Sequence, residues 1–314
     1  MPSPTADLHI VPVTDTAGIA EWVRVHNLAS PCHPVGPVSL AHNWRVAPDW
    51  EAVLAVRDGR AVGAGHVEVQ HWSPTSRHTD ATIVVPHPER RQGVGSALFR
   101  RLSAWSRRAG RHGMDIWVNE DDPDGPGFWS RRDFVEVGRE ERCHLELATV
   151  GSAPDTSPLP DGLTLVTLDD RPQLESGIFA VGREAIADIP GADPYDVGDL
   201  AHFVAGELRI PGLIEQCAIV AMAGDVVIGY ALLVRYEARP TVASHEMTAV
   251  ARAWRGRGLA GAMKQAQIAR ARRVGLEVLE ADNERRNVAM LRLNARLGYT
   301  SLPANVQLRG PLAA

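Results

Sequence analysis

The sequence predicts an α+β protein made of two similar domains, and three observations lead to this prediction. The length of 314 residues exceeds the usual size of one domain. Each half alternates short apolar runs with helical patterns, which is typical of a mixed, mostly antiparallel sheet flanked by helices. Matching positions also recur at a separation of 165 residues: Val85 and Val250, Arg90 and Arg255, Gly93 and Gly258, and Phe134 and Tyr299. We therefore interpret the chain as an internal duplication.

The boundary between the repeats is a stretch rich in proline and small polar residues, at residues 151–160. Such a composition is typical of a linker. We expect an N-terminal domain over residues 1–150 and a C-terminal domain over residues 161–314.

The expected elements of the first half follow from local patterns. Residues 8–13 alternate as a strand, and Thr14 or Asp15 can cap a helix that ends near Leu28. The remaining elements are a helix over 38–46, a hairpin over 52–69, a strand over 79–85, a helix over 94–105, a strand over 114–118, a helix over 127–132 and closing strands that end at Leu147.

The second half repeats this order from Leu163 with one difference. Its hairpin covers residues 218–234, and a longer insertion at 187–195 precedes another helix that Asp196 would cap. The insertion and its flank carry Asp188, Asp193, Asp196 and Asp199. These carboxylates could attract a cationic amine, but helix capping and ordinary surface charge explain them as well, and we favour that interpretation.

Two glycine-rich loops each follow an apolar strand and precede a helix. Their sequences are Arg90-Arg91-Gln92-Gly93-Val94-Gly95 and Arg255-Gly256-Arg257-Gly258-Leu259-Ala260. Glycine lets the backbone approach a ligand closely, and the free N–H groups of a helix start favour an anion. The sequence therefore predicts a phosphate-binding loop in each half.

This pattern, in this setting, resembles the acyl-CoA pyrophosphate loop of the GNAT superfamily of N-acetyltransferases. A second block, Asn283-x-x-x-Asn287-x-x-Met290-x-x-x-Asn294-x-x-Leu297-Gly298-Tyr299, resembles the helix and Gly-aromatic step that close the CoA site in that superfamily. The resemblance covers both halves, and two-domain acetyltransferases of the mycothiol synthase kind have a similar architecture.

The resemblance implies that acetyl-CoA, or another short acyl-CoA, is the cofactor. Strand backbone at Thr248, Ala249 and Val250 would bind the pantetheine arm, as would the strand ending at Val85 in the first half. The loop from Arg255 to Ala260 would hold the pyrophosphate and Asn287 would contact the CoA arm. The loop from Arg90 to Gly95 is expected to bind a second acyl-CoA without catalysis, and the alternative is that Arg90 and Arg91 are solvated residues at a helix start.

The position that often carries a tyrosine acid in this superfamily is Asn294 in the second half and Trp129 in the first. Asparagine donates a hydrogen bond but is no acid near neutral pH. All four tyrosines lie in the second half, so we expect that half to be catalytic. Tyr299 is a candidate acid, although its position usually packs in the core. Tyr195 of the insertion and unassisted departure of the thiolate are alternatives.

Glu246 is the candidate general base. It lies on the strand before the loop, and strict alternation would place it on the same face as Thr248 and Val250. A carboxylate in a partly dry cleft has a raised pKa, as a base requires. An ion pair or a solvated strand position remains the alternative. His245, on the opposite face, is expected to pack.

The composition excludes several other classes of protein. A net charge of −5 and a pI of about 6.2 argue against a nucleic-acid partner and against a transferase that depends on aminoacyl-tRNA. Neither loop ends in the Lys-[Ser/Thr] pair of nucleotide triphosphatases. The cysteines at 32, 143 and 217 form neither a disulfide framework nor zinc spacing, and no apolar stretch is long enough to span a bilayer. We expect a soluble cytoplasmic protein, a monomer or homodimer. Lys264 is the sole lysine, and we interpret the use of arginine at nearly every basic position as a consequence of genomic base composition.

The sequence thus predicts an N-acetyltransferase that moves an acetyl group from acetyl-CoA to a primary amine of a small molecule by direct attack. The alternative is a non-catalytic protein that binds CoA or acyl-CoA, a pseudoenzyme or sensor, because the usual tyrosine acid is missing at position 294.

Overall fold

The computed structural model describes residues 7–70, 72–73, 75–151 and 159–314. Most of the predicted linker therefore lies outside the described residues. The chain forms two compact units. The first unit contains the residues up to Val137 together with Asn305–Ala314, and the second unit contains Gly138–Ala304.

The first half of the chain contains six strands and four helices among its described residues. They are β1 (His9–Pro12), α1 (Thr16–Ala29), α2 (Pro37–Val46), β2 (Trp50–Arg57), β3 (Arg60–Val69), β4 (His78–Val84), α3 (Val94–Arg108), β5 (Gly113–Asn119), α4 (Gly125–Ser130) and β6 (Val135–Glu146). Each lies within a few residues of the element that the sequence predicts.

The second half repeats the order. Its elements are β7 (Leu163–Thr167), α5 (Glu175–Ile186), α6 (Leu200–Phe203), β8 (Ile219–Ala223), β9 (Val226–Tyr236), β10 (Arg239–Val250), α7 (Leu259–Arg273), β11 (Val278–Glu284), α8 (Val288–Arg296) and β12 (Thr300–Pro311). One turn of π-helix, Val204–Leu208, extends α6. The Asp199 side chain caps α6 by accepting from His202 N–H, whereas the Asp196 side chain accepts from Gly198 N–H. The predicted cap at Asp196 is therefore wrong by three residues.

Each unit takes its last strand from the other half of the chain. In the first unit the strand order is β1-β2-β3-β4-β5-β12, and in the second it is β6-β11-β10-β9-β8-β7. Strand β12 pairs with β5 from Asn305 opposite Asn119 onward, and β6 pairs with β11 from Glu146 opposite Val278. The units therefore differ from the predicted domains 1–150 and 161–314, since the closing strands are exchanged.

Helices pack on the sheet of each unit and build its core. In the first unit, α3 buries Val94, Leu98 and Leu102 against the sheet at the helical spacing that the sequence shows. In the second unit, α5 and α7 cover different faces of β10, since Ala249 packs in one cluster with Ile178 of α5 and Val250 in another with Met263 of α7. Both units are α+β, with one parallel pair each, β4 with β5 and β10 with β11.

Candidate active site

The two glycine-rich loops have the same backbone conformation. Gly93 and Gly258 have φ values of 84° and 80°, and Arg91 and Gly256, two residues earlier, have 63° and 76°. Helices α3 and α7 begin directly after Gly93 and Gly258. A Cβ added at Gly256 or Gly258 would meet nothing within 4 Å. Each loop therefore presents free helix-start N–H groups to open space, which fits a polyphosphate.

The first arginine of each loop fastens it to the preceding strand. The Nε atoms of Arg90 and Arg255 donate to the carbonyls of Val85 and Val250, each at 3.0 Å. The remaining guanidinium nitrogens of both arginines bond carboxylates: those of Asp122 and Asp124 for Arg90, and that of Asp188 for Arg255. The likeness thus extends to side chains that hold the loop in place.

A gap opens between the two parallel strands of each unit. Pairing of β4 with β5 ends at Ala81 opposite Ile116, and pairing of β10 with β11 ends at Ser244 opposite Glu280. In the first unit this gap belongs to a cavity of about 790 Å³ that residues 82–85, 93–96 and 116–119 help to line. This volume lies in the range of small-molecule sites.

Strand β10 contains one extra residue where β4 has none. His245 pairs with Leu233 and Thr248 pairs with Ala231, so three steps along β10 match two along β9. Pairing of β4 with β3 is unbroken over the same region. Glu246 lies inside this β-bulge, a feature that often re-aims a side chain beside an active site.

The bulge overturns the prediction that Glu246 shares a face with Thr248 and Val250. Before the bulge, His245 faces α7 and bonds Gln267, whereas after it Val250 faces α7 and Met247 packs on the α5 side. Glu246 therefore faces α5 and α6. His245 is buried, as expected.

Three carboxylates gather on that face without a partner. Glu246 is reached by solvent, but the surrounding protein and the Asp282 charge raise its pKa. Burial and the Glu246 charge raise the pKa of Glu207 to about 8. Burial, with Asp282 and Glu284, raises the pKa of Glu140 to about 7. Among the described residues, Glu140, Glu207 and Glu246 have no hydrogen bond or ion pair.

Asn294 lies in a buried polar cluster rather than on a surface. Its Oδ1 accepts from Lys264 Nζ at 2.8 Å, and its Nδ2 donates to Asn283 Oδ1 at 2.7 Å. The Tyr299 hydroxyl bonds His245 Nε2 at 2.5 Å, and burial raises the pKa of Tyr299 well above 10. Tyr299 thus packs in the core, as its position suggested, and its role as an acid stays a prediction.

The other predicted cofactor residues lie along the same gap and loop. The Asn287 side chain caps α8 by accepting from Met290 N–H. The Thr248 hydroxyl is buried and has no hydrogen-bond partner in the part of the chain that the structure describes. Leu259 is buried at the start of α7, and Ala249 is buried in β10. Direct contact of these residues with CoA stays a prediction.

The insertion uses its acidic residues locally. Asp188 bonds both Arg252 and Arg255, and these partners hold the pKa of its carboxyl well below the usual range. With Asp199 as a helix cap, the interpretation as capping and surface charge is the one that the contacts support. Acidic groups do lie close enough to Glu246 to interact with its charge, but they are Glu140 and Glu207, which the sequence pattern did not reveal.

Within residues 7–70, 72–73, 75–151 and 159–314, no three His, Cys, Asp or Glu side chains are grouped to hold a metal ion. No helix in these ranges is long and apolar enough to cross a bilayer.

Comparison with known proteins places both halves in one family. The sequence matches the family described as Acetyltransferase (GNAT) family over residues 22–134 and 192–299. Among curated proteins, it is 27% identical over 257 residues to a mycothiol acetyltransferase of Sanguibacter keddieii, covering 79% of this chain and 78% of that protein. It is 24% identical to a mycothiol acetyltransferase of Geodermatophilus obscurus, covering 94% and 95%.

Solved structures share the fold over almost the whole chain. A tandem GNAT protein from the clavulanic acid biosynthesis pathway superposes with a TM-score of 0.79 at 20% identity, covering 98% of this chain and 99% of that one. A GCN5-related N-acetyltransferase from Sphaerobacter thermophilus gives a TM-score of 0.74 at 16% identity, covering 98% and 96%.

Proposed function

The chain belongs to the GNAT family of acetyltransferases, and on this basis we propose that its second unit transfers an acetyl group from acetyl-CoA, or another short acyl-CoA, to a primary amine of a small molecule. The observation that supports this most directly is the bulge of β10. It sets Glu246 beside the first unpaired residues of the gap between β10 and β11. A loop that fits a polyphosphate follows four residues after β10 ends.

Each chemical task of direct attack has a candidate residue in this unit. Acetyl-CoA supplies an acyl group activated as a thioester. Glu246, with its raised pKa, accepts a proton as the amine becomes nucleophilic. The β10 backbone beyond Ser244 lacks a β11 partner, so an N–H near Ala249 or Val250 is free to stabilise an oxyanion. The loop from Gly256 to Ala260 binds the phosphates.

The acceptor is a cationic amine, because the face that leads to Glu246 is acidic. Glu207 on the π-helical turn and Glu140 on β6 flank this face and lack partners among the described residues. Burial, and after it the neighbouring carboxylates, raise the pKa values of Glu207 and Glu140, and a protonated amine would offset both effects. Glu140 also stands directly opposite Glu284 in the ladder, which is unfavourable for two like charges.

The first unit binds a second acyl-CoA without reacting it. Its loop, from Arg90 through Gly95, matches the loop of the second unit, and its gap opens into the cavity of about 790 Å³. It has no residue that corresponds to Glu246, because β4 lacks the bulge.

The test is free-thiol release from acetyl-CoA against a panel of amines. The panel holds polyamines, aminoglycosides, amino acids, peptide N-termini, arylamines and the unacetylated form of mycothiol, since two curated relatives are mycothiol acetyltransferases. Release that depends on one class of amine supports the proposal and names the acceptor chemistry. Tight binding of acetyl-CoA without thiol release for any amine would instead favour a non-catalytic sensor. The absence of a tyrosine at position 294, which is Asn294, is the reason to consider this alternative.

A further inference from the structure

The cavity of the first unit extends beyond the gap between β4 and β5 into a chamber. One cavity of about 790 Å³ is lined by the loop and helix start at residues 93–96, by the gap at residues 82–85 and 116–119, and by His26, residues 29–33 and Asn305. We call the part lined by His26, residues 29–33, Trp117, Asn119 and Asn305 the chamber. A ligand with its phosphates at the loop and its arm in the gap would therefore place its far end in the chamber.

Trp117 stands at the end of the gap that lies away from the loop. It is the first residue of β5 beyond the last pair with β4, which joins Ile116 and Ala81. Ile116 packs in the core cluster of α3, so alternation turns Trp117 and Asn119 to the opposite face of the sheet. The Trp117 residue is 38% exposed although it lines the cavity. A large apolar ring thus borders the chamber instead of packing fully into the core.

The same positions in the second unit are acidic. Glu140 pairs with Glu284 as Asn305 pairs with Asn119, and the separation of 165 residues relates the residues of β5 to those of β11. The corresponding pairs are Trp117 and Asp282, Asn119 and Glu284, and Asn305 and Glu140. An indole and two amides therefore stand where the second unit has three carboxylates, so this wall of the chamber has lost the charge that suits a cationic amine.

The opposite wall of the chamber is also uncharged at His26. The Asn27 amide is oriented by the Val35 backbone, since its Nδ2 donates to Val35 O and its Oδ1 accepts from Val35 N–H. His26 Nδ1 lies 3.2 Å from that Oδ1 and is therefore the protonated ring nitrogen. Burial lowers the pKa of His26, so the ring stays neutral near pH 7. Residues 29–32 are Ala, Ser, Pro and Cys.

The charged residues that line this cavity lie at its other end. They belong to the loop, at Arg90 and Arg91, and to residues 121–132 after β5. Arg90 bonds Asp122 and Asp124 there. Charge is thus concentrated where phosphates would lie, and the chamber is left to an uncharged group.

The straight strand β4 explains why the chamber is available to the acyl group. Its unbroken pairing leaves the first unit without a counterpart of Glu246. A site that reacts no acceptor needs no room for one beside the thioester. An acetyl group is too small to cover the Trp117 ring, whereas a larger acyl group would remove that surface from water.

We propose that the first unit binds an acyl-CoA with a bulky, uncharged acyl group of the arylacyl class, and that the acyl ring packs against Trp117 in the chamber. This inference rests on the proposed function of the first unit, and it adds the class of acyl group. The two units then select different ligands, since the acidic wall of the second unit favours an incoming amine. A carboxylated acyl group is disfavoured in the chamber, because a charge there would lose water without gaining a partner.

The first test compares CoA esters in the full-length Gly258→Asp variant, in which only the first loop is intact. Calorimetry measures binding of acetyl-CoA, benzoyl-CoA and succinyl-CoA. We expect benzoyl-CoA to bind about tenfold to a hundredfold more tightly than acetyl-CoA, from burial of the ring and its contact with indole. Succinyl-CoA, which is larger than acetyl-CoA but charged, should bind no more tightly than acetyl-CoA. Equal affinities for benzoyl-CoA and acetyl-CoA would overturn the inference.

The position of the acyl ring has a readout that does not depend on affinity. 4-Fluorobenzoyl-CoA carries one ¹⁹F signal, which should shift upfield on binding because the Trp117 ring current shields a ring that stacks on it. Trp117→Asp introduces the residue that the second unit has at 282, and it should abolish both this shift and the preference for benzoyl-CoA. Trp117→Phe keeps an aromatic ring and should retain most of the preference. The same ¹⁹F shift in Trp117→Asp as in the parent would place the acyl ring elsewhere and overturn the inference.

The outcomes separate this inference from the function on which it rests. If no CoA ester binds to Gly258→Asp while the wild type binds one equivalent, the first unit is not an acyl-CoA site and both statements fail. If all esters bind with one affinity, the first unit remains an acyl-CoA site and only the class of acyl group is wrong. Acetyl transfer by the second unit is measured separately, by thiol release from acetyl-CoA in Gly93→Asp.

Discussion

The two units have the same loop and differ in the strand that leads into it. Gly93 and Gly258 share one backbone conformation, and the arginines three residues before them make the same bond to the preceding strand. Strand β4 then pairs without interruption, whereas β10 gains a bulge at Glu246. Behind β4, the first unit has three aromatic rings at the positions where the second unit, behind β10, has a lysine, an amide and a phenol.

On the proposed function of the second unit, this contrast separates the residues for binding from the residues for chemistry. The loop needs only left-handed residues and a helix start, which both units keep. The second unit has a carboxylate that a bulge re-aims and a buried Lys264–Asn294 pair, whereas the first unit has an uninterrupted β4 and the rings of Phe99 and Trp129 at the corresponding positions. The difference is confined to a few positions, so single substitutions can test it.

The largest expected effect comes from the loops. Gly258→Asp should abolish acetyl-CoA binding to the second unit, because the carboxylate would stand against the pyrophosphate. Gly93→Asp should remove only the binding to the first unit and leave turnover. Isothermal titration counts the sites. Gly275→Asp is the matched control for backbone strain, since Gly275 also has a positive φ of 76° and nothing within 4 Å of its Cβ position. Unchanged affinity for acetyl-CoA in Gly258→Asp would refute the loop assignment.

The next effect concerns the bulge. Glu246→Gln should lower kcat about a hundredfold to a thousandfold with binding of acetyl-CoA intact, because the amide accepts no proton. Thiol release and calorimetry measure the two quantities. Glu277→Gln, at an exposed position just before β11, should change neither. If Glu246→Gln keeps full activity, Glu246 is not the general base, and the bulge that distinguishes β10 from β4 has no role in the reaction.

A smaller effect is expected in stability as a function of pH. The folded-state pKa of Glu207, about 8, lies above its ordinary value of 4.5, so its contribution is full below pH 4.5 and is lost as pH rises through 8. Glu207→Gln should therefore flatten the decline over this window and be more stable than the wild type above it, by at most about 5 kcal/mol, since one pKa unit corresponds to about 1.4 kcal/mol. Urea titrations at several pH values measure this.

The first unit offers a control for this change. Glu68 also has its pKa raised by burial, to about 7, so Glu68→Gln should flatten a similar window. Only Glu207→Gln should also raise the KM for the amine. An equal KM in both variants would remove Glu207 from the acceptor site.

The smallest effect belongs to the carboxylates that hold the loop arginines. Asp188→Asn frees Arg255 and Arg252, and Asp124→Asn frees Arg90 and Arg91 in part. Each should change stability little, since ion pairs at the surface are screened by solvent. Each should also tighten acetyl-CoA binding in its own unit by a few fold at low salt. Binding that does not depend on salt would argue against arginine contact with phosphate.

The loops and hairpins could be predicted because their signals are local. Glycine before a helix and period-two alternation are properties of a few neighbouring residues. The bulge was missed because an alternating sequence does not show where one extra residue is accommodated. The sequence therefore predicts that Glu246 and Val250 point to the same side of the sheet, whereas in the structure they point to opposite sides.

The buried cluster and the strand exchange needed long-range information. Lys264 lies on the same helical stripe as Gln267, Ile268 and Ala271, at spacings of three, four and seven, but lysine is rarely buried, so the stripe alone does not predict its burial. Its being the sole lysine was a signal that we attributed to composition. Both closing strands alternate in a similar way, so the sequence alone could not assign β6 to β11 and β12 to β5.

The exchanged strands have a consequence for the order of synthesis. A ribosome that has translated the first half has made every strand of the first unit except β12, and it has already made β6, which belongs to the second unit. The first sheet must therefore wait, with the edge of β5 open, until residues 305–311 emerge. The second unit has all its strands once β11 has emerged, so the first unit, although its strands are translated first, becomes complete last.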